Sequence, residues 1–161
     1  MIIMGIDPGV ATTGFAIIKV LSNNKYSIID YGCIKTRKDD IFSQRLLEIH
    51  QELREKIKKY EPNKIAIESI YFAKNMKTAM KVGEAWGVAV LAAAEERKQV
   101  FEFTPLQIKQ ALTGYGRASK QQIQKMVKTV FNLKNIPRPD DAADALAAAI
   151  CCAQTKKLWG Q

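Results

Sequence analysis

The chain carries a single histidine, His50, and its three cysteines, Cys33, Cys151 and Cys152, are an odd number without metal-site spacing. That excludes a histidine-based metal cluster and a zinc framework, and the thiols are expected to be reduced and in the core. A cysteine–histidine nucleophile pair would have to be built from buried thiols, so any chemistry must rest on carboxylates. The sequence also lacks an apolar run of about 18 residues, the length that crosses a bilayer. Its opening, MIIMGIDPG, has neither the basic region nor the long apolar core of a signal peptide. The expectation is a cytoplasmic protein with no membrane partner. With 161 residues, 47% of them apolar and 25% charged, the composition suits one ordinary globular domain, expected over 1–156 with a short tail over 157–161.

Acid is nearly missing from one long stretch. Of the formal net charge of +9, the segment from Arg97 to Arg138 supplies +8: nine basic residues (Arg97, Lys98, Lys109, Arg117, Lys120, Lys125, Lys128, Lys134 and Arg138) against Glu102 alone. A basic run can be a mere solvated face. Concentrated in one segment, this one favours a polyanion partner, and nucleic acid is the commonest polyanion.

What is present reads as alternating layers. Residues 1–7, 13–20 and 26–35 are short runs rich in Ile and Val, punctuated by PGVAT and SNNK, and they predict a three-stranded antiparallel meander. Residues 41–60 repeat apolar side chains at helical spacing and are followed by Pro62, residues 64–68 (KIAIE) read as a buried strand, and 75–97 as a longer helix. That helix is apolar nearly all round from Val82 to Ala94, Glu84 excepted, and so needs cover on two sides. Residues 100–103 predict a fifth strand. Thr104-Pro105 opens a helix to about Leu112, Ser119 caps another to about Leu133, and Asp140 is expected to cap a last one to about Lys156. The sum is an α/β layer fold: a five-stranded mixed sheet covered by helices on both faces.

Four acids stand where ligands gather in such folds, at strand ends and at one helix start. Asp7 ends the first strand before the turn pair Pro8-Gly9, and Glu68 ends the fourth. Asp141 and Asp144 are three apart on one helix face, amid alanines that admit a neighbouring backbone, and the helix beyond them is uncharged. Each acid has an ordinary explanation as a turn residue, a sheet-edge charge or a dipole partner. Held together near a core, they need a compensating cation. Hard oxygen ligands suit Mg²⁺ or Mn²⁺, so the acids and the basic segment together point to metal-dependent phosphodiester cleavage.

The motifs Gly5-Ile6-Asp7-Pro8-Gly9, Ile65-Ala66-Ile67-Glu68 with Ala73-Lys74-Asn75 after it, and Asp141-Ala142-Ala143-Asp144-Ala145-Leu146 resemble, in order, those of the RuvC family of Holliday junction resolvases. The resemblance runs from residue 1 to about 153. It implies an RNase H-like fold in which Asp7, Glu68, Asp141 and Asp144 bind two metal ions. It further implies a homodimer that cuts two strands of four-way junction DNA symmetrically, in recombination and DNA repair, working with the RuvAB branch-migration complex. By the same resemblance Lys109 and Lys120 match basic residues near the scissile phosphate, and Tyr71 matches an aromatic, usually Phe, that stacks on unpaired bases. Ser69 departs from the longer polar residue that relatives usually carry. Lys74, Lys77 and Arg117 are further candidate DNA contacts, although the stripe of Lys74, Lys77 and Lys81 reads equally as a solvent face. Two other readings stay open on the residues alone: a nuclease of the same fold acting on RNA or other branched DNA, and a nucleic-acid-binding module without catalysis.

Overall fold

The computed structural model describes residues 1–21, 25–69 and 76–155. Five strands, β1 (Ile2–Asp7), β2 (Thr12–Val20), β3 (Tyr26–Lys35), β4 (Lys64–Glu68) and β5 (Val100–Phe103), form one sheet in the order β3-β2-β1-β4-β5. The first three pair antiparallel, whereas β4 runs parallel to β1 and β5 parallel to β4. In the central strand β1, Ile3, Met4, Gly5 and Ile6 are all buried, so it shows no alternation: it is covered on both faces. The edge strand β3 is half-exposed and carries an extra residue, Ile29, where the register shifts opposite Ile17 and Ile18.

Helices α1 (Phe42–Tyr60) and α2 (Met76–Glu95) cover one face. Ile49, Leu53 and Ile57 of α1 and Ala89, Ala92 and Ala93 of α2 pack with Met4, Ile6, Ile17, Ile65 and Ile67. Helices α3 (Pro105–Thr113), α4 (Lys120–Val130) and α5 (Asp140–Thr155) build a second core on the other face around Leu146 and Ile150. Capping boxes start α3 and α4: Thr104 and Ser119 accept from the backbone N–H of Gln107 and Gln122, whose side chains accept from the caps' own N–H groups.

Three helix boundaries differ from the expected ones. α2 stops at Glu95 rather than Arg97, because Arg97 takes a left-handed φ of 54° and the N–H groups of Arg97 and Lys98 fold back onto the carbonyls of Ala94 and Ala93. α4 stops at Val130 rather than Leu133 in the same way, with Asn132 at φ 50° and Leu133 N–H bonded to the Lys128 carbonyl. Both are Schellman closures. Asp140 is the first helical residue of α5 and not its cap: the Pro139 carbonyl accepts from Ala142 and Ala143 N–H, and the Asp140 carboxylate faces Arg138 and Lys120. Cys151 and Cys152 are buried free thiols as expected, but Cys33 is only half-buried, on the edge strand. No helix among the described residues is long and apolar enough to cross a membrane.

Candidate active site

Parallel pairing of β1 with β4, Ile6 opposite Ile67, makes Asp7 and Glu68 the next residues at the same end of adjacent central strands. Topology alone therefore brings together two acids that are far apart along the chain. β5 continues the parallel run beside β4, and Ser69 N–H donates to the Phe103 carbonyl just past Glu68.

The third and fourth acids arrive on α5, which lies directly on the sheet. A side chain at Gly5 of β1 would collide with the Ala145 carbonyl, and one at Gly14 of β2 with the Asp141 carbonyl. Sequence reasoning credits the alanines of α5 with the close approach and misses the part played by Gly5 and Gly14. The alanines are needed, but the two strand glycines decide how near the helix comes. A signal for them exists: each is a glycine inside an apolar strand, which marks the approach of another backbone. This contact sets Asp141 against β2 and aims Asp144, one turn on, toward the ends of β1 and β4.

The charges of these acids act on one another. Asp7 is pushed up to about 8 by burial first, then by the charges of Glu68, Asp144 and Asp141, with Lys120 opposing. Glu68 is pushed up to about 7 by burial and by Asp144, against Lys109 and Lys120. Asp144 also lies above the usual carboxylate range because it is buried, although its hydrogen bond from Lys120 pulls the other way. The Lys120 Nζ sits 3.0 Å from Asp144 Oδ2 and 3.6 Å from Asp140. Burial works to lower the Lys120 ammonium, but the hydrogen bond to Asp144 and the acids around it raise it above its ordinary value.

A cleft of about 260 Å³ opens at this place, lined by Glu68 and Asp144 with Lys109, Lys120 and the apolar Pro105, Ile108 and Ile123. α3 supplies Lys109 and α4 supplies Lys120, so these two lysines of the basic segment stand on the same cleft as two of the acids. Arg117 is exposed on the α3–α4 loop and lines no part of it. Tyr71 and Lys74 fall outside the described residues, as does the side chain of Lys77; Lys81 is exposed on α2. Among the described residues no three acidic, cysteine or histidine side chains stand close enough together to hold one ion. Lys120 occupies Asp144 instead.

The chain is similar to known proteins over nearly its whole length. The family model described as crossover junction endodeoxyribonuclease RuvC matches residues 3–152. A crossover junction endodeoxyribonuclease RuvC of Ruminiclostridium cellulolyticum is 52% identical over 158 residues, covering 98% of this chain and 95% of its own length. Among solved structures, Thermus thermophilus RuvC superposes with a TM-score of 0.91 at 33% identity, covering 98% of this chain and 96% of that one. The same protein in complex with a Holliday junction substrate gives 0.90 at 31% identity, with 99% and 97% covered. The sheet and its helices are thus the RNase H-like fold of that protein.

Proposed function

The chain belongs to the crossover junction endodeoxyribonuclease RuvC family, and from that premise we propose that it resolves four-way (Holliday) junctions in DNA recombination and repair by paired symmetric nicks. The single observation that carries the reading is the cleft in which Glu68 and Asp144 face Lys109 and Lys120, with Asp7 beside them at the end of β1. An acidic floor and a basic rim are what phosphodiester hydrolysis needs: anionic ligands for metal beneath and cations for the phosphate above.

Nucleases of this family are metal-dependent. The donor set fits hard divalent ions such as Mg²⁺ or Mn²⁺, since it consists of carboxylates alone and burial and mutual repulsion keep Asp7 and Glu68 partly protonated near neutral pH. We assign Asp7, Glu68, Asp141 and Asp144 to hold two such ions, which when bound acidify water and stabilise charge on the phosphoryl oxygens. For this Asp144 must release Lys120. The freed ammonium is then available to donate to a non-bridging oxygen of the scissile phosphate, and Lys109 lines the same cleft from α3. Pro105, Ile108 and Ile123 exclude water from the inner wall. Water adds to phosphorus as the sugar oxygen leaves, so the nicked ends are a phosphate and a hydroxyl.

The remaining assignments follow the family. Tyr71 stacks on unpaired bases at the crossover, and Lys74, Lys77 and Arg117 contact backbone phosphates. One cleft reaches one strand, so two equivalent cuts call for a homodimer. α2 offers the surface for it: Met80, Glu84, Gly87, Leu91 and Ala94 are exposed along one stripe, with Met80 at 64% and Leu91 at 53%. The protein works with the RuvAB complex in the cytoplasm. Incubation of a synthetic four-way junction, a linear duplex and a structured RNA with the protein and Mg²⁺ tests the reading, and only the junction should be nicked. Comparable cutting of RNA would move the chain to another substrate class. Lys109→Ala or Lys120→Ala should slow cleavage far more than it weakens binding, while Lys134→Ala should change neither much.

A further inference from the structure

A second cleft, of about 490 Å³, opens on the far side of Lys120, lined by Lys120, Gln124, Lys125, Ile136, Arg138 and Asp140. Lys120 lines both clefts, so the two are neighbours divided by one side chain and the Asp140 carboxylate it faces. Three cations stand here, with Asp140 between Arg138 and Lys120 and with Asp144 3.0 Å from Lys120. Asp140 is already divided between Arg138, which donates to its Oδ1, and Lys120. Lys125 is exposed and has no acidic partner within ion-pair distance among the described residues. The free ammonium of Lys125 beside the Arg138 guanidinium makes the concavity attractive to an anion.

The buried wall supplies a polar group. Gln124 is 6% exposed and lines the same cleft. Its neighbours on α4, Ile123 and Val127, pack into the core, as helical spacing requires of the buried face. The Gln124 carboxamide stands at the edge of that core, on the wall of the cleft. Its amino group is a suitable donor to a phosphoryl oxygen, and the Arg138 guanidinium matches the same group with paired N–H donors.

We propose that this cleft is a second anion subsite, which holds a backbone phosphate of the DNA strand adjacent to the phosphodiester being cut, with Arg138 and Lys125 as its charged ligands and Gln124 as its buried donor. It rests on the nuclease reading above, because Lys120 places the second phosphate next to the first. A phosphate here competes with Asp140 for Arg138 and leaves Asp140 to Lys120. The strand is thereby gripped at two successive points, and the register of the cut follows from the spacing of the clefts.

The test uses the full chain and synthetic four-way junctions in which single phosphates are replaced, one at a time, by neutral methylphosphonates. For the wild type, binding should weaken when the neutral linkage falls at the cut and again at a position flanking it. In K125Q/R138Q, whose altered side chains are exposed, the flanking position should become indifferent while the cut position stays sensitive. The slope of log K against log salt should become shallower by about 1, the share of one phosphate contact. Q124M, checked for unchanged melting, should lose part of the same flanking sensitivity. An interference map and salt slope for K125Q/R138Q identical to those of the wild type would overturn the subsite. Binding is read without divalent ions and nicking separately with Mg²⁺. A wild type that binds junctions but never nicks them contradicts the nuclease reading, while the interference map still decides the subsite.

Discussion

Helices α2 and α5 are the two most apolar of the chain, and both are rich in alanine, yet they meet the sheet in opposite ways. α5 is buried from Ala145 through Cys152 and touches strands β1 and β2 backbone to backbone at Gly5 and Gly14. α2 rests on bulky isoleucines with α1 alongside, buries Ala85, Ala89, Ala92 and Ala93, and leaves Met80 and Leu91 in the open. At Gly87 a side chain would meet nothing within 4 Å. Similar composition thus serves two purposes. In α5 it brings charged groups at the helix start to the strand ends with little freedom of position; in α2 it leaves an exposed stripe, the surface proposed above for a second copy.

The contrast is broken most severely at the glycines of the sheet. Gly14→Ala drives a methyl group into the Asp141 carbonyl, where only backbone can yield, and should cost about 3 kcal/mol, the upper end for overpacking, in a chemical denaturation experiment. It should also displace Asp141 and so reduce cleavage in whatever fraction remains folded. A cost under about 0.5 kcal/mol would mean that α5 does not sit as closely as described.

A smaller effect is expected from pH. Asp7 and Glu68 have folded values of about 8 and 7 against ordinary values of 3.8 and 4.5, so between these limits the folded chain keeps protons that the unfolded chain has released. Stability must then fall as pH rises through that window. Without divalent ions the protein should melt at a higher temperature at about pH 5 than at about pH 8.5, and Asp7→Asn should flatten the difference. Added Mg²⁺ should raise the melting temperature at the higher pH and do little at the lower. A metal-free melting temperature that rises from pH 5 to 8.5 would contradict the crowding of the acids.

On α2 the effects are smaller in stability and visible in assembly. Leu91→Glu lies on the open stripe, so the fold should lose no more than about 0.5 kcal/mol, while sedimentation should show a monomer that binds junctions more weakly and no longer nicks them in pairs. Wild-type protein that stays monomeric on a junction would remove α2 as a dimer surface. Smallest of all, Gly87→Ala should stabilise the isolated subunit by about 0.5–1 kcal/mol through helix propensity, the opposite sign to Gly14→Ala. Equal signs at the two glycines would erase the distinction between the helices.

Much of this architecture is legible in the amino-acid sequence. Strands β3, β4 and β5 lie where the Ile-, Val- and Phe-rich runs predict them, because short apolar runs between polar turns leave little choice. The caps Thr104 and Ser119, with Pro105, likewise mark the starts of α3 and α4. The ends of α2 and α4 are not legible, since Arg97 and Asn132 close them in a conformation usually announced by glycine. Asp140 reads as a cap because Asp often is one, but tertiary partners, Arg138 and Lys120, claim its carboxylate. Bringing Asp7, Glu68 and Asp144 together depends on parallel pairing and on two strand glycines whose meaning appears only when a helix lies across them. Lys109 and Lys120 are ordinary helix lysines by pattern, and the family resemblance alone selects them.

The central claim is that these acids act as one hydrolytic site whose loss abolishes cleavage and spares junction binding. Mapping nicks on all four strands of a synthetic junction in Mg²⁺, with Asp7→Asn beside the wild type and binding followed in parallel, tests it most directly. Paired nicks at symmetric positions in two opposed strands for the wild type, and none for Asp7→Asn despite retained binding, is the predicted result. Asp7→Asn that cuts at the wild-type rate, or that loses binding together with cleavage, would contradict the account.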